Sequence, residues 1–191
     1  TLPEVELSNG MAEVIKMAAI SSGRFFKYLE DNMAKAVALD VAVLEKIVLE
    51  NAAQKAKVVG KDEKEAGQRI ILNYGHTIGH AVEAVSGFKL KHGQAVAIGM
   101  IAENKIARRL GLLSEDDAAR ILKIIGLAGL PVAVPDFTPM ELSNAFELIK
   151  HDKKVLHDNI RFVLLQAIGK PVVCDSVAPG LIKEVLNGSS A

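Results

Sequence analysis

The sequence predicts a mainly α-helical fold, a multi-helix domain carrying one small β-hairpin. Three observations carry this expectation. Apolar residues recur at helical spacing along most of the chain. One region alone, IRFVLLQAIG and PVVCDSV around Gly169-Lys170-Pro171, is rich in β-branched residues and reads as a hairpin. Half of the 191 residues are hydrophobic, which is ample for a core.

The elements follow in order. TLPEVELSNG is a Pro-containing opening, read as an inter-domain linker over residues 1–9, ahead of one helical domain over 10–191. Asn9-Gly10 punctuates the start of a first helix through MAEVIKMAAI, Ser21-Ser22-Gly23 breaks it, and RFFKYLEDNMAKAVAL resumes it. Asp40 reads as the N-cap of a third helix, DVAVLEKIVLENAAQKAKVV. Its stripe Leu44, Val48, Ala52, Lys55 and Val59 would turn Lys55 toward the core or its rim, where lysine is uncommon.

Gly60-Lys61-Asp62 then turns into EAGQRIILNYGHTIGHAVEAVSGFKLKHG at 65–93. On one continuous helix, Glu65, Arg69, Asn73, His76, His80 and Glu83 share a side. Ile70, Ile71, Tyr74, Thr77, Ile78, Ala81, Val82 and Val85 form the core face, and Gly75 and Gly79 leave room for another backbone. His92-Gly93 stands at the mouth of QAVAIGMIAENKIARRLGL, whose AVAIGMIA is apolar on every side and predicts burial. Ser114 caps a helix through SEDDAARILKIIGLAG. Another follows the Pro-rich connection 131–139, through PMELSNAFELIKHDKKV, and APGLIKEVLNG closes the chain.

Composition narrows the function. A formal net charge of zero gives no electrostatic case for nucleic acid or an anionic membrane. No apolar run approaches the roughly 18–20 residues of a membrane span, and no signal peptide is visible. The single Cys174 excludes an internal disulfide and reads as a small strand residue. It suits a reducing, cytoplasmic compartment.

The polar side of 65–93 is unlike an ordinary solvated face, which is mostly Lys and Glu. It gathers two histidines, an asparagine and an arginine, groups that bind metals, move protons and grip oxyanions. Glu13 and Lys16, at i, i+3 in an apolar helix, are either a local surface pair or charges with a partner inside the fold. Two histidines and a carboxylate form a recurrent catalytic zinc set. Spacing does not choose between Glu13, His76 and His92 on one hand and His76, His80 and a carboxylate on the other.

GMAEVIK at 10–16, KAKVVGKDEKEAGQR at 55–69, LNYGHTIGHAVE at 72–83, KHGQAVAIGM at 91–100 and DKKV at 152–155 closely resemble the 3-dehydroquinate synthase family. The resemblance runs along essentially the whole chain and corresponds to that family's C-terminal helical domain. It implies a metal, zinc or cobalt, on Glu13, His76 and His92, with Lys16 beside it against the substrate hydroxyls. Lys55 and Arg69 match the residues that hold the substrate carboxylate. Asn73 and His80 match phosphate-side contacts, with Lys153 favoured over Lys154 as the lysine that helps them.

Glu65 and His80 match proton acceptors, and Thr1 and Asn9 lie where the family's linker touches NAD. The implied reaction converts 3-deoxy-D-arabino-heptulosonate 7-phosphate, a sugar acid phosphate, into 3-dehydroquinate and phosphate. An N-terminal NAD-binding domain and a homodimer are the implied partners. The rival readings are another sugar-phosphate cyclase, a metal-dependent alcohol dehydrogenase, and a non-catalytic helical module stabilised by metal.

Overall fold

A computed structural model of the chain describes residues 3–60, 68–151 and 160–187. Among them run the helices α1 (Glu4–Ser21), α2 (Gly23–Val37), α3 (Val41–Gly60), α4 (His76–Val85), α5 (His92–Arg109), α6 (Glu115–Leu127), α7 (Pro139–His151) and α8 (Pro179–Leu186). A 3-10 turn, Gln68–Asn73, precedes α4, and β1 (Phe162–Ala167) pairs antiparallel with β2 (Lys170–Cys174). The expected class, helices with one hairpin, is the fold observed. No helix among the described residues is long and apolar enough to cross a membrane.

Helix α5 is the axis. Every residue from Ala95 to Asn104 is buried, so neighbours surround it: α1, α4, α6, α8 and β1. Helix α2 is amphipathic and buries Phe25, Phe26, Leu29, Met33 and Ala36 on one stripe. Its N-cap Ser22 accepts the Phe25 N–H, and Asp40 and Ser114 cap α3 and α6 in the same way. The hairpin buries Phe162 to Leu165 against this core, and its turn is tied to α1 by Gly169 N–H donating to the Ala19 carbonyl at 2.7 Å. Arg120 clamps α6 to α2 through both Glu30 oxygens, each at 2.9 Å.

Three expectations are corrected. Helix α1 begins at Glu4, so Asn9-Gly10 lies inside it and not at its start. A helical glycine costs only about 1 kcal/mol against alanine, and the Asn9 side chain serves elsewhere, accepting the Gly93 N–H at the head of α5. The stripe of α3 is rotated from the expected one. Val43, Ile47, Gln54 and Val58 are buried while Val48, Ala52 and Lys55 are exposed. This helix is apolar on several sides, so periodicity alone could not select the buried one.

The third correction matters most. The stretch 65–93 is not one helix. Gly75 adopts φ +78, a left-handed conformation that ends the 3-10 turn and starts α4 afresh. Its N–H, lost to any helical ladder, donates to the buried Glu103 carboxylate of α5 at 2.7 Å. Beside it the buried Tyr74 hydroxyl donates to Asn104 Oδ1 at 2.7 Å. Thus α5 supplies the polar partners that hold this turn. Arg69 and Asn73 therefore share no helix face with His76, His80 and Glu83.

Candidate metal centre

Three separate helices build the site. Helix α1 presents Glu13 and Lys16, while His76 is the first residue of α4 and His92 the first of α5. His76 Nε2 lies 3.5 Å and His92 Nε2 3.7 Å from Glu13 Oε1. One donor atom from each of the three residues falls within 4.8 Å of the others. Lys16 is buried and pairs with the second Glu13 oxygen at 2.6 Å. Both readings of Glu13 and Lys16 hold in part: they form a local i,i+3 pair, Lys16 is buried, and the part-exposed Glu13 also faces His76 and His92.

The donor set fits a divalent cation. Glu13 Oε1 is buried and makes no hydrogen bond, although buried polar oxygens are nearly always satisfied. His76 Nδ1 sits 3.1 Å from the Tyr74 carbonyl. Only a protonated Nδ1 can donate there, which leaves a lone pair on Nε2 facing the carboxylate. Lone pairs converging on one point are repulsive until a cation occupies it. Two imidazoles and one carboxylate also match the ligand set of catalytic zinc sites with open positions.

Electrostatics keep these groups ready. Burial first, and then the Lys16 charge, pull His76 down to about 4, so its imidazole is neutral at pH 7. Burial alone would raise the Glu13 carboxyl. The Lys16 charge and hydrogen bond, with His76 and His92, outweigh it and hold the group below its usual range.

A pH dependence follows. In the unfolded chain His76 takes a proton below about 6.5, and in the folded chain only near 4. The unfolded state therefore binds more protons in this window, and stability falls as the pH drops through it. For the metal-free chain we expect ~2–3 kcal/mol to be lost between pH 6.5 and 4.5 through this residue. Urea titrations of the chain and of His76→Asn check this. The variant should show the shallower slope, and equal slopes would remove His76 as the cause.

His80, one turn beyond His76, stands at the edge of the trio. Its ring centre is 5.2 Å from that of His76 and 6.0 Å from that of His92. Arg69 and Asn73 are both exposed and line, with Ile70 and Leu72, a cavity of about 490 Å³. Lys55 is exposed on α3 and does not point inward as its stripe suggested. Asn9 secures the first turn of α5 through Gly93. Thr1, Glu65, Lys153 and Lys154 lie outside the described residues.

Two contributors were given no role by the sequence reading. Glu83 was placed on the polar face, and the structure puts its carboxylate 3.3 Å from His92 Nδ1. Glu103 has no place among the residues singled out by spacing or resemblance. Its signal was present, since a glutamate directly after AVAIGMIA is a charge in a helix expected to be buried all round.

Comparison with known proteins gives the family and the fold. Residues 10–155 match the family described as 3-dehydroquinate synthase C-terminal. A 3-dehydroquinate synthase from Psychrobacter cryohalolentis is 43% identical over 187 residues, covering 97% of this chain and 50% of the relative. The 2-epi-5-epi-valiolone synthase of Streptomyces hygroscopicus subsp. jinggangensis was solved with NAD+ and Zn2+ bound. It superposes with a TM-score of 0.83 at 26% identity, over 97% of this chain and 51% of that one. A 2-deoxy-scyllo-inosose synthase complexed with carbaglucose-6-phosphate, NAD+ and Co2+ gives 0.80 at 30% identity, over 97% and 52%. The chain spans about half the length of the relatives it matches.

Proposed function

We propose, from the premise that this chain belongs to the 3-dehydroquinate synthase C-terminal family, that it is the metal- and substrate-binding part of a cytoplasmic 3-dehydroquinate synthase. The reaction is the conversion of 3-deoxy-D-arabino-heptulosonate 7-phosphate into 3-dehydroquinate and phosphate. The observation that carries the proposal is the convergence of Glu13, His76 and His92 around a buried carboxylate oxygen without a hydrogen bond. Among rival cyclases, the solved relatives stand at 26–30% identity and the named 3-dehydroquinate synthase at 43%.

Glu13 Oε1, His76 Nε2 and His92 Nε2 would hold the divalent ion. When bound, that ion supplies Lewis acidity to a substrate oxygen, and NAD supplies a hydride acceptor. The chain's own residues do the rest. Lys16 keeps Glu13 ionised and offers its remaining N–H donors to substrate hydroxyls beside the ion. Arg69 and Asn73, in their cavity, grip the substrate's anionic groups, the guanidinium as a planar fork. His80, at the rim of the trio, takes the proton that leaves the carbon next to the oxidised position. Lys55, Glu65, Lys153 or Lys154, Thr1 and Asn9 complete the proposed contacts with carboxylate, proton, phosphate and NAD.

Hydride transfer needs NAD held against the substrate. Dinucleotide sites are built from a parallel sheet with a Gly-rich strand–turn–helix, whereas the sheet among the described residues is one antiparallel hairpin. We expect the 191-residue chain, given substrate, zinc and excess NAD, to release no phosphate. Adding the amino-terminal half of a full-length 3-dehydroquinate synthase, in trans or fused, should restore release. Release from the chain alone at the rate of a whole enzyme would place the hydride chemistry here. No release from the fused protein, with release from another seven-carbon sugar phosphate, would move the chain to a different cyclase.

A further inference from the structure

We propose that Glu83 is a positioning residue of the metal centre: it holds the His92 imidazole with Nδ1 protonated, so that Nε2 presents its lone pair toward Glu13. The proposal rests on the metal reading above for its consequence, though the Glu83–His92 contact stands on geometry alone.

The two imidazoles are anchored differently. His76 has 14% of its side chain exposed and is fixed by a backbone acceptor, the Tyr74 carbonyl. His92 has 45% exposed and begins a helix, with no preceding turn to pack its ring. Its Nδ1 meets Glu83 Oε2 at 3.3 Å, while its Nε2 lies 3.7 Å from Glu13 Oε1. Glu83 lies on α4 two turns beyond His76 and is less exposed than the ring it contacts. It is not one of the three residues whose donor atoms lie mutually within 4.8 Å, so it stands behind His92.

A carboxylate at Nδ1 has two consequences. It selects the Nδ1–H tautomer, and it limits rotation of an exposed ring. Partners of this kind typically alter metal affinity by about 10–100-fold when removed. Without Glu83 a neutral, half-exposed histidine reverts toward the Nε2–H form usual in water, which turns a proton toward the ion's place.

The test uses the 191-residue chain and two variants, Glu83→Ala and Glu83→Gln, with far-UV circular dichroism confirming their fold. Long-range ¹H–¹⁵N spectra of the metal-free proteins at mildly alkaline pH report the His92 tautomer, and competition against a chromophoric chelator reports zinc affinity. The unsubstituted chain should show Nδ1–H. Glu83→Ala should shift His92 toward Nε2–H and weaken zinc binding about tenfold or more. Glu83→Gln, whose amide oxygen still accepts a hydrogen bond, should keep the tautomer and lose less.

An Nε2–H tautomer in the unsubstituted chain, or an unchanged tautomer and affinity in Glu83→Ala, would overturn the proposal. So would zinc binding abolished in both variants with the tautomer unchanged, which would make Glu83 a ligand. If the chain takes up no zinc while the tautomers behave as stated, the metal reading is at fault and the Glu83–His92 contact is not.

Discussion

His76→Ala should abolish high-affinity binding of a divalent metal by this chain, with a loss of at least ~100-fold, whereas His80→Ala should leave affinity within about threefold. The two histidines lie one turn apart on α4, and spacing alone makes them an obvious pair. The structure separates them. His76 points its Nε2 at the unsatisfied Glu13 oxygen from 3.5 Å, and Tyr74 fixes the tautomer that leaves a lone pair there. His80 is outside the trio of mutually close donors.

Removing His76 takes away one of the three proposed protein ligands and leaves Glu13 with Lys16 and His92. The apolar core does not depend on these residues, so both variants should stay folded by circular dichroism. Elemental analysis after dialysis against zinc checks the pair. Metal retained by His76→Ala and lost by His80→Ala would reverse the assignment.

Gly99→Ala should destabilise the chain by about 3 kcal/mol, a fall of roughly 6–12 °C in Tm, and weaken metal binding with it. A Cβ at Gly99 would overlap the Gly75 carbonyl oxygen and press on the Gly79 backbone N. These atoms are main chain and cannot swing aside as a long side chain would. The Gly75 turn must move, and it carries both the N–H bonded to Glu103 and the residue that precedes His76.

Gly10→Ala is the natural control. Nothing lies within 4 Å of its added Cβ in the middle of α1, so that change should raise Tm slightly through helix propensity. Equal effects from the two substitutions would mean that the close approach of α4 and α5 is not what Gly99 serves. Differential scanning calorimetry and zinc titration together make the comparison.

What was legible in the sequence was local. Asp40 and Ser114 announce helix starts through side-chain capping, and the β-branched run at 162–174 announces a hairpin, because neighbours a few residues away decide both. The Gly75 break was not legible. The apolar residues keep helical spacing across it, and the Glu103 carboxylate that rewards the broken geometry comes from another helix. The exposure of Lys55 is illegible for a related reason: α3 offers more than one apolar stripe, and only its neighbours select Val43, Ile47 and Val58. The trio was open from spacing because Glu13, His76 and His92 sit on three helices that tertiary packing alone brings together.

In the function proposed, Glu13, His76 and His92 together hold one divalent ion. Anomalous diffraction at the zinc edge, from crystals of the chain grown with zinc, tests it most directly. One strong peak is expected, bounded by Glu13 Oε1, His76 Nε2 and His92 Nε2, with Glu83 behind His92 and outside the ligand shell. A peak between His76 and His80 that leaves His92 out, or no peak near any of these residues, would contradict it.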